Sequence, residues 1–297
     1  MTDSRVGLRR KIGSADDLQG VVRTMRAMAA SSIQAYRQSV HALGAYHRTV
    51  ELGIGVCLRD ARAAMALPEG AHAARRGPLV VIVFGADQGL VGAFNDLIVE
   101  HVVDTLQAPD AGDDTAEIWA VGERMHARLC DAGLKPRGVH AVPTSVQAIG
   151  PLVGRLQIDA EAHRAASTRL LVFHNRPTAT ALYTPVEQQL LPLDERWRQH
   201  HVAQRWPTRV PPQVMGSHTR TLRLLVREFL FISLFRACAE SLAAESASRL
   251  AAMERADKNI DQLLTDLRAD DQRLRQGAID EELFDVMAGF EALSARP

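Results

Sequence analysis

The stretch most able to do chemistry is Gly85-Ala-Asp-Gln-Gly-Leu-Val-Gly92. It follows an apolar run, Leu79 to Phe84, and opens a helical segment, Ala93 to Leu106. That is where backbone N–H groups and a helix N-terminus receive a phosphate in nucleotide-binding folds. The glycines, however, are spaced G-x-x-x-G-x-x-G rather than G-x-G-x-x-G, and no Lys-Ser/Thr pair follows as in a P-loop. The next apolar run, Glu117 to Val121, leads into Gly122 and Glu123 without a clear ribose-binding acid. The stretch therefore reads as a tight structural turn, with cofactor binding the weaker alternative. Eleven histidines invite a metal, yet only His200 and His201 are adjacent and no H-E-x-x-H occurs. They read as solvated loop residues. No serine sits in a G-x-S-x-G elbow. Cys57, Cys130 and Cys238 are odd in number, far apart and free of C-x-x-C spacing, as expected of bystander thiols in a reducing compartment. No catalytic residues, cofactor or metal are expected.

Composition narrows the classes further. The chain has 297 residues, enough for two domains, with 35 basic and 35 acidic side chains. A net charge of zero gives no overall field for nucleic acid, although Arg5, Arg9, Arg10 and Lys11 cluster locally. No run approaches eighteen apolar residues, since Leu222 to Phe235 is broken by Arg223, Arg227 and Glu228. The N-terminal stretch carries Asp3, Asp16 and Asp17 and lacks an apolar segment, so no signal or transit peptide is expected there. Membrane association is expected only through a partner.

The elements that must position any site fall into three parts: a helix over residues 1–67, an α/β domain over 68–216, and a helix over 217–297. In the last part apolar or small residues recur in steps of three and four: Leu222, Leu225, Phe229, Ile232, Ala239, Ala243, Leu250, Met253, Ile260, Leu264, Leu267, Leu274, Ala278. That is a heptad seam, and at 1.5 Å per residue it predicts a rod on the order of 100 Å. Arg236, Ser246, Asp257, Asp271 and Glu281 interrupt the seam. They suggest a helix that leaves its partner for part of its length to meet another surface. The partner is the N-terminal part, with its own seam at Ala15, Leu18, Val22, Met25 and Ala29, then Tyr36, Val40, Leu43, His47, Val50 and Ile54.

Twelve of the 13 prolines lie between Pro68 and Pro212. There Leu79–Phe84, Glu117–Val121 and Arg169–His174 read as strands alternating with helices at Ala93–Leu106, Glu123–Cys130 and Val146–Arg164. Tyr183–Leu191 reads as an edge strand, Asp110–Asp114 as a loop, and Leu193–Ser217 has no firm assignment. The expected fold is thus a long antiparallel coiled coil of the N- and C-terminal helices with an inserted Rossmann-like parallel-sheet α/β domain.

Lys11-Ile12 followed by Gln19-Gly-Val-Val-Arg23-Thr-Met25-Arg-Ala-Met-Ala29-Ala30-Ser31 resembles the N-terminal helix signature of the gamma subunit of F-type ATP synthases. Glu245-Ser-Ala-Ser-Arg249-Leu-Ala-Ala-Met253 through Asn259 resembles its C-terminal helix. So does Arg275-Gln276-Gly-Ala-Ile279-Asp280-Glu-Glu282-Leu283, closing on Gly289. The Gly85–Asn95 turn is similar to the family's glycine-rich turn, though Gln88 and Val91 stand where Arg and Cys are usual. Asp280 stands in place of Thr, Asp271-Gln272 in place of Tyr-Asn, and Ser32 in place of Lys. Those departures imply a divergent branch, for which an alternative rotary ATPase of the Na⁺-coupled N type is one candidate; whether H⁺ or Na⁺ is coupled would be decided in a ring subunit, not in this chain.

The resemblance implies a non-catalytic central-stalk rotor. Its expected partners are a hexamer of alpha and beta subunits, the epsilon subunit and the c-ring, at the cytoplasmic face of a bacterial inner membrane. It further implies rotor–stator contacts at Arg23, Met25, Arg26, Arg249, Arg275, Gln276 and Glu282. Two rival readings are a nucleotide-binding α/β enzyme with a coiled-coil dimerisation arm and a self-associating coiled-coil scaffold.

Overall fold

The computed structural model describes residues 2–59, 78–107, 116–162, 169–178, 181–210 and 212–294. The expected loop at 110–114 and the expected domain boundary near Pro68 lie outside the described residues. The chain divides into two compact units, residues 30–249 and residues 1–29 with 250–297. The long helices α1 (Thr2–Leu58) and α6 (His218–Ser294) each contribute to both.

Unit 30–249 is built on β1 (Leu79–Phe84), whose six residues are all buried. A strand covered on both faces has no use for alternation, which is why LVVIVF is apolar throughout. β1 pairs in parallel with β2 (Glu117–Val121) on one side and β4 (Arg169–Arg176) on the other. β3 (Pro136–His140) extends the sheet in parallel beyond β2, and β5 (Thr184–Leu191) runs antiparallel along β4. The order is β3-β2-β1-β4-β5. The expected parallel sheet is therefore mixed at one edge. β3 was not foreseen, because PRGVH is only half covered and carries Pro and Gly.

One sheet face, with Leu79, Val81, Val83 and Phe173, packs on α2 (Phe94–Gln107) and α3 (Glu123–Asp131). The other, with Val80, Ile82, Phe84 and Val172, packs on α4 (Val146–Ala162) and on the paired stretches of α1 and α6. In that pairing Tyr36, Val50 and Ile54 of α1 join Leu222, Val226, Phe229, Ala239 and Leu242 of α6 in one core. The previously unassigned connector contains α5 (Glu195–Ala203), capped where Asp194 Oδ1 accepts from Trp197 N at 2.7 Å. Gly55 lets α1 approach it closely, since a Cβ there would meet the His201 carbonyl oxygen.

In the other unit, Ala15 and Val22 of α1 share a core with Met253, Ile260 and Leu264 of α6. Cross-helix ion pairs fix the direction. Arg5 meets Asp271, Asp16 meets Arg268, and Arg23 and Arg26 meet Asp257, so one number falls as the other rises and the helices are antiparallel. The polar seam positions Asp257 and Asp271 therefore do not mark a departure from the partner helix; each is held by arginines of α1. The seam also differs at Leu18, which is exposed, while Gln19 is buried and donates to Asp261. The spacing of 15, 19 and 22 keeps one face, and Leu18 falls beside it.

Histidines were expected in loops, but His174 lies wholly inside β4 and His201 is buried on α5. His174 Nε2 lies 3.0 Å from Glu240 Oε2, and Arg176 Nε and Arg236 Nε each donate to that carboxylate at 2.7 Å. Burial pushes the Glu240 carboxyl up, but bonds from His174, Arg236 and Arg176 outweigh it and hold it at about 2. A carboxyl depressed on folding stabilises the fold above its unfolded value, 4.5, and that stabilisation is lost as pH falls toward 2. A shift of this size corresponds to roughly 3 kcal/mol. Urea unfolding followed from pH 4.5 to 2 is expected to show the wild type losing about that much more stability than Glu240→Gln. Parallel curves for the two proteins would contradict it.

Candidate functional site

Two places could carry function, the crevice beyond the sheet and the paired helices of unit 1–29/250–297. The crevice is closed by its own residues. Asp87 Oδ1 accepts from Glu123 N at 2.5 Å, at the start of α3, and Oδ2 accepts from Val142 N at 3.2 Å. A carboxylate of the chain thus sits at the N-terminus of α3, the helix after β2, where an anion is favoured. Gly122, with φ 113°, brings the α3 backbone up to Asp87. Asn95 clasps the turn from below, accepting from Ala86 N at 2.9 Å and donating to Ala86 O at 3.1 Å. Ser248 of α6 donates to Val91 O at 2.6 Å. Val91 and Phe94 pack on Ala244 and Tyr183. The turn is an anchor for α6. Among the described residues no three His, Cys, Asp or Glu side chains gather to hold a metal.

The helix pair of the other unit brings together Arg23, Met25 and Arg26. Asp257, with only 11% of its side chain exposed, accepts from Arg26 at 2.8 Å and from Arg23 at 3.3 Å. Both arginines stay about half exposed, so each can meet a further surface while tied to Asp257. Met25 is half-buried against the Ala15–Leu264 core. Asp257 was missed as part of this group. The signal was present in the antiparallel numbering, which sets Arg23 and Arg26 opposite it.

Arg275, Gln276 and Glu282 lie exposed on α6. Among the described residues none of the three has an ion-pair or hydrogen-bond partner. Beside them Ile279, Leu283, Phe284, Val286 and Met287 are also more than half exposed. Apolar residues at 279, 283 and 287 recur every four positions, so they line one strip of the helix and leave it uncovered.

Arg249 belongs to unit 30–249 and is engaged there, donating to Glu245 at 2.6 Å. Burial pushes the Glu245 carboxyl above the usual carboxylate range. Arg249 pulls it back, and the negative charge of Asp87 adds to the upward push. Arg249 is therefore mostly covered and bound internally, unlike Arg275.

A sequence model of the family described as ATP synthase matches residues 5–293. Among solved structures, the chain is similar to a chain of the Euglena gracilis mitochondrial ATP synthase rotor in rotational state 1. The TM-score is 0.58 at 16% identity, covering 94% of this chain and 100% of that one. A chain of the OSCP/F1/c-ring assembly of the same enzyme, in rotational state 3, gives a TM-score of 0.60 at 17% identity, covering 99% and 96%. A chain from the central stalk and c-ring of the Tetrahymena thermophila mitochondrial ATP synthase gives 0.53 at 19%, covering 80% and 99%. At such identities the likeness establishes a shared fold, long terminal helices around a five-stranded sheet.

If the Gly85–Gly92 turn is an anchor, Asp87→Ala should weaken the fold without touching any ligand. It leaves the Glu123 and Val142 N–H groups without their acceptor, at a cost of about 1–3 kcal/mol. Urea denaturation should show that loss, and calorimetry with ATP should give the same trace for Asp87→Ala as for the wild type. Unchanged stability, or ATP binding that Asp87→Ala alters, would overturn the assignment.

Proposed function

Because the chain belongs to the ATP synthase gamma-subunit family, we propose that it is the central-stalk rotor of a rotary ATP synthase and is itself non-catalytic. The observation that carries this reading is the far part of α6. Its apolar strip at Ile279, Leu283, Phe284, Val286 and Met287 is exposed beside the unpaired Arg275, Gln276 and Glu282. A helix of that kind is suited to a ring of subunits around it. There apolar side chains give contact without fixed partners, and Arg275 forks onto carboxylates.

In this reading the surrounding ring is the alpha and beta hexamer, and the epsilon subunit and the c-ring meet the chain elsewhere. An asymmetric rotor presents a different surface to each catalytic site. It biases their nucleotide states through differences in contact energy, which is the only way one conformation can select another. Arg23, Met25 and Arg26 contribute from α1, with the arginines free to share their charge between Asp257 and a partner's acid. Met25 suits a moving contact because its unbranched thioether adapts to changing neighbours. Arg249 contributes through its hold on Glu245. The chain is peripheral to a bacterial inner membrane, on its cytoplasmic face. Among the described residues no helix is long and apolar enough to cross one.

In membranes carrying the assembled complex, Arg275→Ala with Gln276→Ala should lower ATP synthesis by about 3- to 10-fold. That is the scale of one or two partly exposed charge-assisted contacts. Assembly, followed by co-purification of alpha and beta, should be unchanged. Wild-type synthesis rates in the double variant would mean that these residues only solvate a helix face.

A further inference from the structure

Unit 30–249 holds a cavity of about 280 Å³ that the rotor reading does not use. Its walls include Arg176, Arg236, Gln188, His200, Trp197 and Phe229. The two arginines are unusual in how they are held. Each spends its Nε–H on one buried carboxylate, Arg176 on Glu240 Oε2 and Arg236 on Glu240 Oε1, both at 2.7 Å. Glu240 thereby fixes both guanidinium planes while engaging one of the five N–H donors of each. Among the described residues the terminal nitrogens of Arg176 and Arg236 have no further partner.

Charge follows the same arrangement. Glu240 is ionised at neutral pH and cancels one arginine. Burial pushes His174, its third neighbour, below the ordinary histidine range, so that ring is neutral there. One positive charge is left over at this end. The acid of the opposite wall, Glu51, is turned to other groups, since its Oε1 lies 3.6 Å from His201 Nε2 and 3.8 Å from His47 Nε2. Gln188, on β5 opposite Val172, adds an amide to the cavity lining.

We propose that the Arg176–Arg236 end of this cavity binds a phosphate group, carried either by free inorganic phosphate or by a nucleotide. Two guanidinium groups anchored through Nε on one carboxylate leave their terminal N–H donors for anion oxygens, and the anchoring lowers the side-chain freedom lost on binding. Trp197 and Phe229 line the remaining wall, with His201 against the Trp197 ring and His47 stacked on Phe229. The site is separate from the Gly85–Gly92 turn, and it stands or falls independently of rotation.

Isothermal titration of the purified full chain with inorganic phosphate, and separately with ADP, tests it. Saturable binding is expected, weakening as salt is raised. Tighter binding of ADP identifies a nucleotide as the source, and equal binding identifies free phosphate. Gln188→Glu leaves the Glu240 clamp intact and puts a carboxylate into the cavity lining, so it should weaken binding by about 10-fold or more. Arg236→Gln, checked for folding by circular dichroism, should do the same while Arg176 and His174 still hold Glu240. No saturable heat from the wild type, or affinity unchanged in both variants, would overturn the proposal.

Discussion

The structure depends on two helices from distant parts of the sequence covering each other. Neither α1 nor α6 is apolar enough on one face to stand alone in water, and neither is polar enough to stay unfolded. In unit 1–29/250–297 the seam alternates between a hydrophobic contact and an ion pair. Ala15, Val22, Met253, Ile260 and Leu264 supply the first, and Asp257 and Asp271 with their arginines the second. The apolar part is non-directional and would tolerate a slip of one turn. The ionic part does not, because a slip strands Asp257 in a covered position without Arg23 or Arg26. Affinity and register thus come from different residues of the same seam.

Everything between the helices is an insertion that must not disturb that pairing. The β-sheet meets this demand by burying both faces, one of them against the helices themselves. The turn after β1 is locked inward by Asn95 and outward by Ser248, so it fastens α6 through Val91. Asp87 then closes the crevice that comparable α/β sheets leave open to ligands.

Much of this was visible in the residues. LVVIVF read as a strand buried on both sides, and the three-and-four spacing after Leu222 read as one long helix with a partner rather than as two or three shorter ones. Failures came where pairing decides structure. PRGVH at β3 has no pattern of its own and becomes a strand because β2 offers an edge. ERWRQHHVA at α5 has weak periodicity and is held by Asp194 and by contact with α1 at Gly55. Leu18 looked like a seam residue and Gln19 did not, because a buried amide bonded across to Asp261 cannot be told from a surface glutamine in sequence. The seam aspartates were noticed, but their meaning lay in arginines more than 230 positions away. Arg275, Gln276 and Glu282 were singled out only by the family resemblance, since exposure without a partner looks the same as ordinary solvation.

The central claim is that the chain turns inside a stationary ring of partners. Cys130 is exposed while Cys57 and Cys238 are buried, so a bead or fluorophore can be attached at one native position. With the alpha and beta hexamer immobilised on glass and ATP supplied, the probe on Cys130 should turn steadily in one direction and stop when ATP is removed. A probe that keeps a fixed orientation relative to the hexamer while ATP is being hydrolysed would contradict the account.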